Sequence, residues 1–446
     1  MQRDLNVLLE QDRSKRKAAL ERILSACTAG VVIPEDRPAV LKSSLRCLED
    51  KVERCRESAI AIVGQFVERE GSWVDAEALD WILPVLVTRL GAQAEVVEES
   101  EELRLQLLNL SLEVLVKFPH DVGSRGYSEF YSAMLTGCVR DAFPEVKKRA
   151  CQGFGMLCRA VPVTSLKTIA VPMAKSVKLH ALLHKHSSVR VEALHAFLHL
   201  IKAGAVEILG DIKDEAQENR STLYYMYLSC TDQTESVRMA FLELASVCVL
   251  DLRDRQEQHK RFFPLLLLSC VDPLSVAIRA RAREIMAQVG KCFILDNEDH
   301  RVDMSKRRIT AKDIEMYADD DAQYPLPAIR ALFKDPDIMR PILGTRLVVS
   351  ESFRNYVDTF VIAYMTSGVD PVKIKFGMRC LVMTILHMES YILEFLQKLV
   401  EAMYKVLADI HEGTPEYEEV IPNVRTSCQL LGFFLPPEHF IATRLE

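Results

Sequence analysis

Apolar positions recur along the chain in a fixed figure. An apolar residue is followed by Arg or Lys, then by apolar or small residues four, seven and eleven positions after the first. The figure starts at Cys55, Leu103, Val146, Val189, Val237, Ile278, Ile374 and Val424. At 100° per residue these offsets fall within a stripe of about 60°, one side of an α-helix. Val237, Phe241, Leu244 and Cys248 form one such stripe. Ile278, Ala282, Ile285 and Val289 form another, and Ile374, Met378, Leu381 and Ile385 a third. Successive starts are 48, 43, 43, 48, 41, 96 and 50 residues apart, the 96 being two periods with one unit missing or altered.

The preceding half of each period is also helical in pattern, as in residues 78–90, 166–183 and 259–271. Two helices every 41 to 50 residues is the period of a HEAT repeat. The predicted fold is all-α, a HEAT/armadillo-like α-solenoid of about nine two-helix repeats with one irregular insertion. Residues 1–291 hold about seven repeats, 292–337 an irregular charged insertion, and 338–446 about two more repeats. At the N-terminus Arg16, Ala19 and Ile23 echo the figure, with Lys15 in the first apolar slot, as in a polar cap. After Leu435-Pro436-Pro437 a new helix begins at Glu438, so the array is expected to continue in a longer chain.

The cation after each first apolar position is Arg56, Arg104, Lys147, Arg190, Arg238, Arg279, Lys375 or Arg425. It lies about 100° off the apolar stripe. Five residues before the first apolar position stands an acid in five cases: Asp50, Glu98, Asp141, Asp232 and Glu419. Asp272 and Asp370 are displaced by one, and each precedes a Pro. Asp272-Pro273 and Asp370-Pro371 suit an N-cap followed by a first helical residue, because Pro needs no donor there, and Asp232 with Glu235 fits a capping box. The cation then reaches the acidic turn of its own or a neighbouring repeat. Stacking of repeats selects for this ladder without any ligand.

Two stretches depart from the pattern. Residues 292–336 are polar and irregular, with Lys306, Arg307 and Arg308 followed by Asp319, Asp320 and Asp321. This is either an inserted linker or a docking or regulatory loop. From Lys147 to Arg190 there are nine Lys/Arg and no Asp or Glu. Lys147, Lys148, Lys167, Lys175, Lys178 and Lys185 mark either a solvated helix face or a patch that steers an acidic partner or phosphate.

Composition narrows the chemistry. With 56 Lys/Arg against 63 Asp/Glu the net charge is −7, which argues against a general nucleic-acid binder. The 12 Cys are scattered without a CxxC pair, as expected of buried thiols in a reducing compartment. No apolar run approaches 18 residues and the N-terminus has no signal-peptide core, so a soluble, cytoplasmic protein without a membrane span is expected. His180/His184 and His195/His199 have metal-chelating spacing but lack the Glu of a zinc-protease helix. Iron hydroxylases built on HEAT-like repeats use several His-Glu dipeptides, and only His411-Glu412 occurs. No phosphate-binding loop, dinucleotide fingerprint or nucleophile elbow is present; Gly153-Phe154-Gly155 lacks the rest of its motif. The reading is a non-enzyme with no catalytic residue, no cofactor and no metal.

The segments Asp50–Ala59, Ser100–Leu105, His186–Val191 and Arg340–Arg346 resemble the HEAT-repeat dynein axonemal assembly factors, the fifth of that series, in its N-terminal portion. The acidic, Pro-containing interruption before Arg340-Pro341 and the stretch from Val424-Arg425 to Gly432-Phe433 are similar too. The resemblance implies a cytoplasmic scaffold for pre-assembly of axonemal dynein arms, binding clients along a curved helical surface. It implies dynein heavy or intermediate chains, other dynein assembly factors and Hsp90-type chaperones as partners. Two alternatives are a tubulin-binding TOG-like array and a transport or phosphatase-type HEAT scaffold. A TOG array needs an aromatic at an early intra-repeat turn, whereas Trp73 and Trp81 stand beside a first helix.

Overall fold

The computed structural model describes residues 1–69, 73–91, 97–210, 222–270, 272, 274–296, 357–362, 365–366 and 371–438. They are helical, with no strand among the described residues. The chain divides into two compact units, Met1–Leu228 and Ser229–Glu446.

The first unit opens with α1 (Gln2–Val7) and α2 (Arg13–Ala29), followed by α3 (Arg37–Cys47) and α4 (Glu53–Glu68), and α5 (Ala76–Leu90) and α6 (Glu101–Lys117). After the short α7 (Pro119–Ser124) come α8 (Ser128–Cys138) and α9 (Pro144–Ala160), then α10 (Val163–His180) and α11 (Ser187–Lys202). Each pair packs as a hairpin. Across pairs α2, α4, α6, α9 and α11 stack as one layer, and α3, α5, α8 and α10 as the other. These are the two layers of a helical-repeat array, in which an element contacts only its neighbours. Helix α12 (Thr222–Cys230) spans the division between units. The second unit continues with α13 (Glu235–Ser246), α14 (Arg255–Cys270), α15 (Val276–Asp296), α16 (Pro371–Met388), α17 (Leu396–Asp409) and α18 (Pro415–Phe434).

The predicted stripes are the buried faces. Val237, Phe241, Leu244, Cys248, Ile278, Ala282, Ile285, Val289, Ile374, Met378, Leu381 and Ile385 are all buried. Close packing also fixes small residues. A Cβ on Gly153 would lie 2.6 Å from Leu135 Cδ2 and 2.9 Å from Leu112 Cδ2, and one on Gly155 would lie 2.8 Å from His199 Cδ2. The Gly153-Phe154-Gly155 triplet therefore serves the approach of α9 to α6, α8 and α11. The last repeat departs from the stripe, because Cys428 in α18 is exposed.

Three local expectations differ from the structure. Asp272 is not an N-cap: its side chain accepts the Leu274 and Ser275 amides ahead of Val276, where α15 begins, and Asp370 lies outside the described residues. Asp232 stands two residues before the cap Thr234, so no capping box forms with Glu235. Glu419 lies inside α18, whose N-terminus is capped instead by Thr414 Oγ1 accepting from the Tyr417 amide at 3.3 Å. Helix α15 runs to Asp296, into the stretch that reads as irregular. Lys306, Arg307, Arg308, Asp319, Asp320 and Asp321 lie outside the described residues.

Burial sets the state of the thiols. It pushes Cys27 and Cys47 up to about 11 and Cys138, Cys151 and Cys270 up to about 12. Thiolate is the reactive form. Burial raises Cys428 too, but its side chain is exposed, so a native thiol titration at mildly alkaline pH is expected to label Cys428 before these five, which stay silent until denaturant is added. Rapid native labelling of Cys138 or Cys151 would contradict the packing of α8 and α9.

Candidate functional site: an inter-repeat charge ladder and an altered rung

In each regular rung one guanidinium joins two repeats. Arg16 holds Asp50 through Nε (2.7 Å) and Nη2 (3.0 Å). Arg56 holds Glu98 at 2.8 and 2.7 Å, and Arg104 holds Asp141 at 2.6 and 2.9 Å. In the second unit Arg238 Nε lies 2.7 Å from Asp272. The remaining Nη1 turns back to the helix's own approach turn. It donates to the carbonyls of Gln11 (2.7 Å), Asp50 (2.9 Å), Glu99 (2.9 Å) and Asp232 (2.6 Å) in these four rungs. Arg279 donates likewise to the Asp272 carbonyl at 2.8 Å.

The carboxylate has its own local task. Asp50, Glu98, Asp141, Asp232 and Asp272 each accept the amide of the residue two positions on, at 2.7 to 3.1 Å. That bond shapes the turn into the next helix, and short polar side chains offer it readily. A rung therefore links a helix, its own turn and the next turn. Bidentate charge-assisted bonds of this kind are the strong ones. Glu98 also takes Arg89, from the last turn of α5. The periodic figure gives no signal for Arg89, because it lies outside the patterned helix.

Burial opposes ionisation of Glu98, but hydrogen bonds from Arg56, Arg89 and the Ser100 amide outweigh it and hold the carboxyl below its usual range. Asp50 is lowered in the same way, with burial outweighed by Arg16 and the Val52 amide.

One rung differs. Lys147 stands where Arg is expected, and His184 occupies the acid slot of the next repeat. Lys147 is buried and donates to the carbonyls of Val139 (2.7 Å) and His180 (3.0 Å). Burial holds it below the usual lysine range. His184 Nδ1 accepts the His186 amide at 3.2 Å, the bond a carboxylate makes elsewhere. The turn is thus preserved while its negative charge is gone. Burial and then the neighbouring cations, Arg140 and Lys147 for His180 and Lys147 foremost for His184, hold both histidines below their usual range. Arg190 donates Nη1 to the His184 carbonyl at 2.7 Å.

The six lysines of the basic stretch do not share one surface. Lys147 and Lys178 are buried, Lys178 lying 5.8 Å from the Tyr225 ring. Lys148 is 3.6 Å from Glu145. Lys167, Lys175 and Lys185 are exposed. Among the ladder residues of the second unit, Lys375 is half-buried and Arg425 is exposed. A recess of about 770 Å³ opens beside the turns from α5 to α6 and from α8 to α9, lined among others by Glu99, Arg104, Glu129, Arg140 and Asp141. The mixed charge of its wall selects no ligand class. Trp73 packs edge-on against Phe66 at 5.0 Å with Arg37 over its face, and Lys42 Nζ lies 3.7 Å from the Trp81 ring. Both indoles are engaged within the array. Among the described residues no three His, Cys, Asp or Glu side chains gather as a metal site, and no helix is long and apolar enough to cross a membrane.

Two family models cover most of the chain. Residues 7–303 match the one described as dynein axonemal assembly factor 5-like, TPR repeats. Residues 334–446 match that of the dynein axonemal assembly factor 5 HEAT-repeat domain. The chain belongs to the dynein axonemal assembly factor 5 family. Dynein axonemal assembly factor 5 of Xenopus laevis is 26% identical over 98% of this chain and 47% of its own length. The human protein is 24% identical over 90% of this chain and 42% of its own length. The chain thus spans less than half the length of these relatives. Among solved structures, Kap121p aligns with a TM-score of 0.39 and 12% identity over 97% of this chain and 46% of its own. A designed armadillo repeat protein in complex with the peptide (KR)4 aligns with a TM-score of 0.39 and 13% identity over 56% of this chain and 99% of its own. Nothing about binding is carried across at these scores.

Proposed function

We propose that the protein is a non-catalytic, cytoplasmic scaffold in the pre-assembly of axonemal dynein arms. Membership of the family across both halves of the chain carries this reading. The architecture fits the role. A stack of repeats joined by charged rungs presents an extended surface suited to a partly folded client. The proposed partners are dynein heavy or intermediate chains, other dynein assembly factors and Hsp90-type chaperones.

Affinity purification of the intact protein from cells building motile cilia, followed by mass spectrometry, tests it. Dynein chains or assembly factors are expected among the specific partners. Their absence, with saturable tubulin co-sedimentation instead, would replace the assembly role with a microtubule one.

A further inference from the structure

The altered rung leaves a surface unlike the rest of the first unit. Helix α10 turns Thr164, Thr168, Pro172, Lys175 and Leu179 outward, all exposed and spaced along one face. The face continues past the helix end to Leu183, 47% exposed, and Lys185. Leu179 is 39% exposed, so two leucines four apart stand open to solvent between two lysines. Exposed Arg140, at the end of α8, is close enough to act on His180.

Among the described residues no carboxylate pairs with Arg140, Lys175 or Lys185. Of the acids near this surface, Asp141 is held by Arg104 and Glu145 lies 3.6 Å from Lys148, while Glu99 and Glu129 line the recess beside Arg140 without pairing with it. At every regular rung the corresponding turn carries a carboxylate. Here it carries His184, flanked by Lys185 and His186.

We propose that this face, Lys175, Leu179, Leu183 and Lys185 with Arg140, docks an acidic protein segment carrying interspersed apolar side chains. Charge complementarity selects the sign of the partner. The paired leucines select an amphipathic peptide over a purely polyanionic ligand. Nucleic acid is disfavoured because, among the described residues of this face, no exposed Phe, Tyr or Trp accompanies the cations for base stacking. Two leucines at a turn edge are too little apolar surface to seat in a bilayer, where interfacial binding scales with buried apolar area. The inference rests on the scaffold reading and names one surface it would use.

The test uses the whole chain and a fluorescein-labelled peptide of alternating Glu/Asp and Leu, measured by anisotropy. A Lys/Leu peptide and phosphatidylserine-containing vesicles are the comparison probes. The Glu/Asp-Leu peptide is expected to bind, more weakly as salt rises. Lys175→Glu with Lys185→Glu is expected to weaken it by about tenfold or more at unchanged melting temperature, because both side chains are exposed. His184→Asp supplies the decisive arm. It restores the carboxylate beside Lys147 and keeps the amide bond of the turn, so the melting temperature is expected to hold or rise while peptide affinity falls. Equal binding of both peptides, binding of vesicles alone, or full affinity in both variants would overturn the proposal. Dynein-related partners recovered equally by the Lys175→Glu/Lys185→Glu protein would discard this surface while leaving the assembly role standing.

Discussion

Replacing Glu98 by alanine is expected to destabilise the first unit by about 3–5 kcal/mol, the range for removing one partner of a buried ion pair. Glu98 is 1% exposed and takes three guanidinium bonds, two from Arg56 and one from Arg89, besides the Ser100 amide. Its loss leaves two guanidiniums without their counter-charge and releases the turn into α6. Denaturant unfolding followed by circular dichroism measures the size of the effect. Hydrogen exchange should place it, with protection falling in α4 and α6 more than in α10 and α11, because repeat arrays couple chiefly through nearest neighbours. A cost below about 1 kcal/mol, the level of an exposed ion pair, would mean that the rung is solvated rather than buried.

This rung and the Arg16–Asp50 rung before it fix an acid limb of stability. The folded carboxyls of Glu98 and Asp50 lie below their ordinary values of 4.5 and 3.8. A depressed carboxyl contributes stability that is complete above its unfolded pKa and is lost as pH falls through the folded value. The sign is therefore loss on acidification, beginning near pH 4.5. Lys147 and His184 carry the same sign, as a cost of protonation rather than a gain from ionisation. Both are held below their usual ranges, so the folded state resists protonating them and the altered rung is favoured by rising pH.

Most of the array is legible in the sequence because its forces are periodic. A helix that buries one stripe against neighbours must repeat that stripe, so Val237-Phe241-Leu244-Cys248 reads directly as a buried face. The ladder is legible for the same reason, since Arg56, Arg104 and Arg238 each solve one steric problem at one register position. The rest depends on geometry that no period encodes. Asp232 stands at a helix entrance and invites a capping assignment, yet it sits two residues too early and shapes the turn instead. Lys147 and Lys178 look like members of a basic surface, but their positions on α9 and α10 face inward. The altered rung had a sequence signal: Lys147 in place of Arg coincides with His184 in place of an acid one repeat later. Reading the two slots together, rather than each along its own stretch, reveals the pair.

In the second unit the largest expected effect is at Phe241. Its side chain is fully buried and its ring stacks on Phe262 with centroids 6.4 Å apart at 26°. Truncation to alanine removes a ring from a site that packed helices cannot close, at an expected cost of about 3–5 kcal/mol. Ser236→Ala, on the exposed side of the same helix, is expected to stay within about 0.5 kcal/mol. The contrast isolates packing from helix propensity, because both variants end in the best helix former. Amides of α13, α14 and α15 should lose protection together in the Phe241→Ala protein, since α13 packs on both of its neighbours. Equal tolerance at the two positions would mean that the repeating apolar stripe is not the face that holds α13 in the stack, and the periodic reading of the whole array would fail with it.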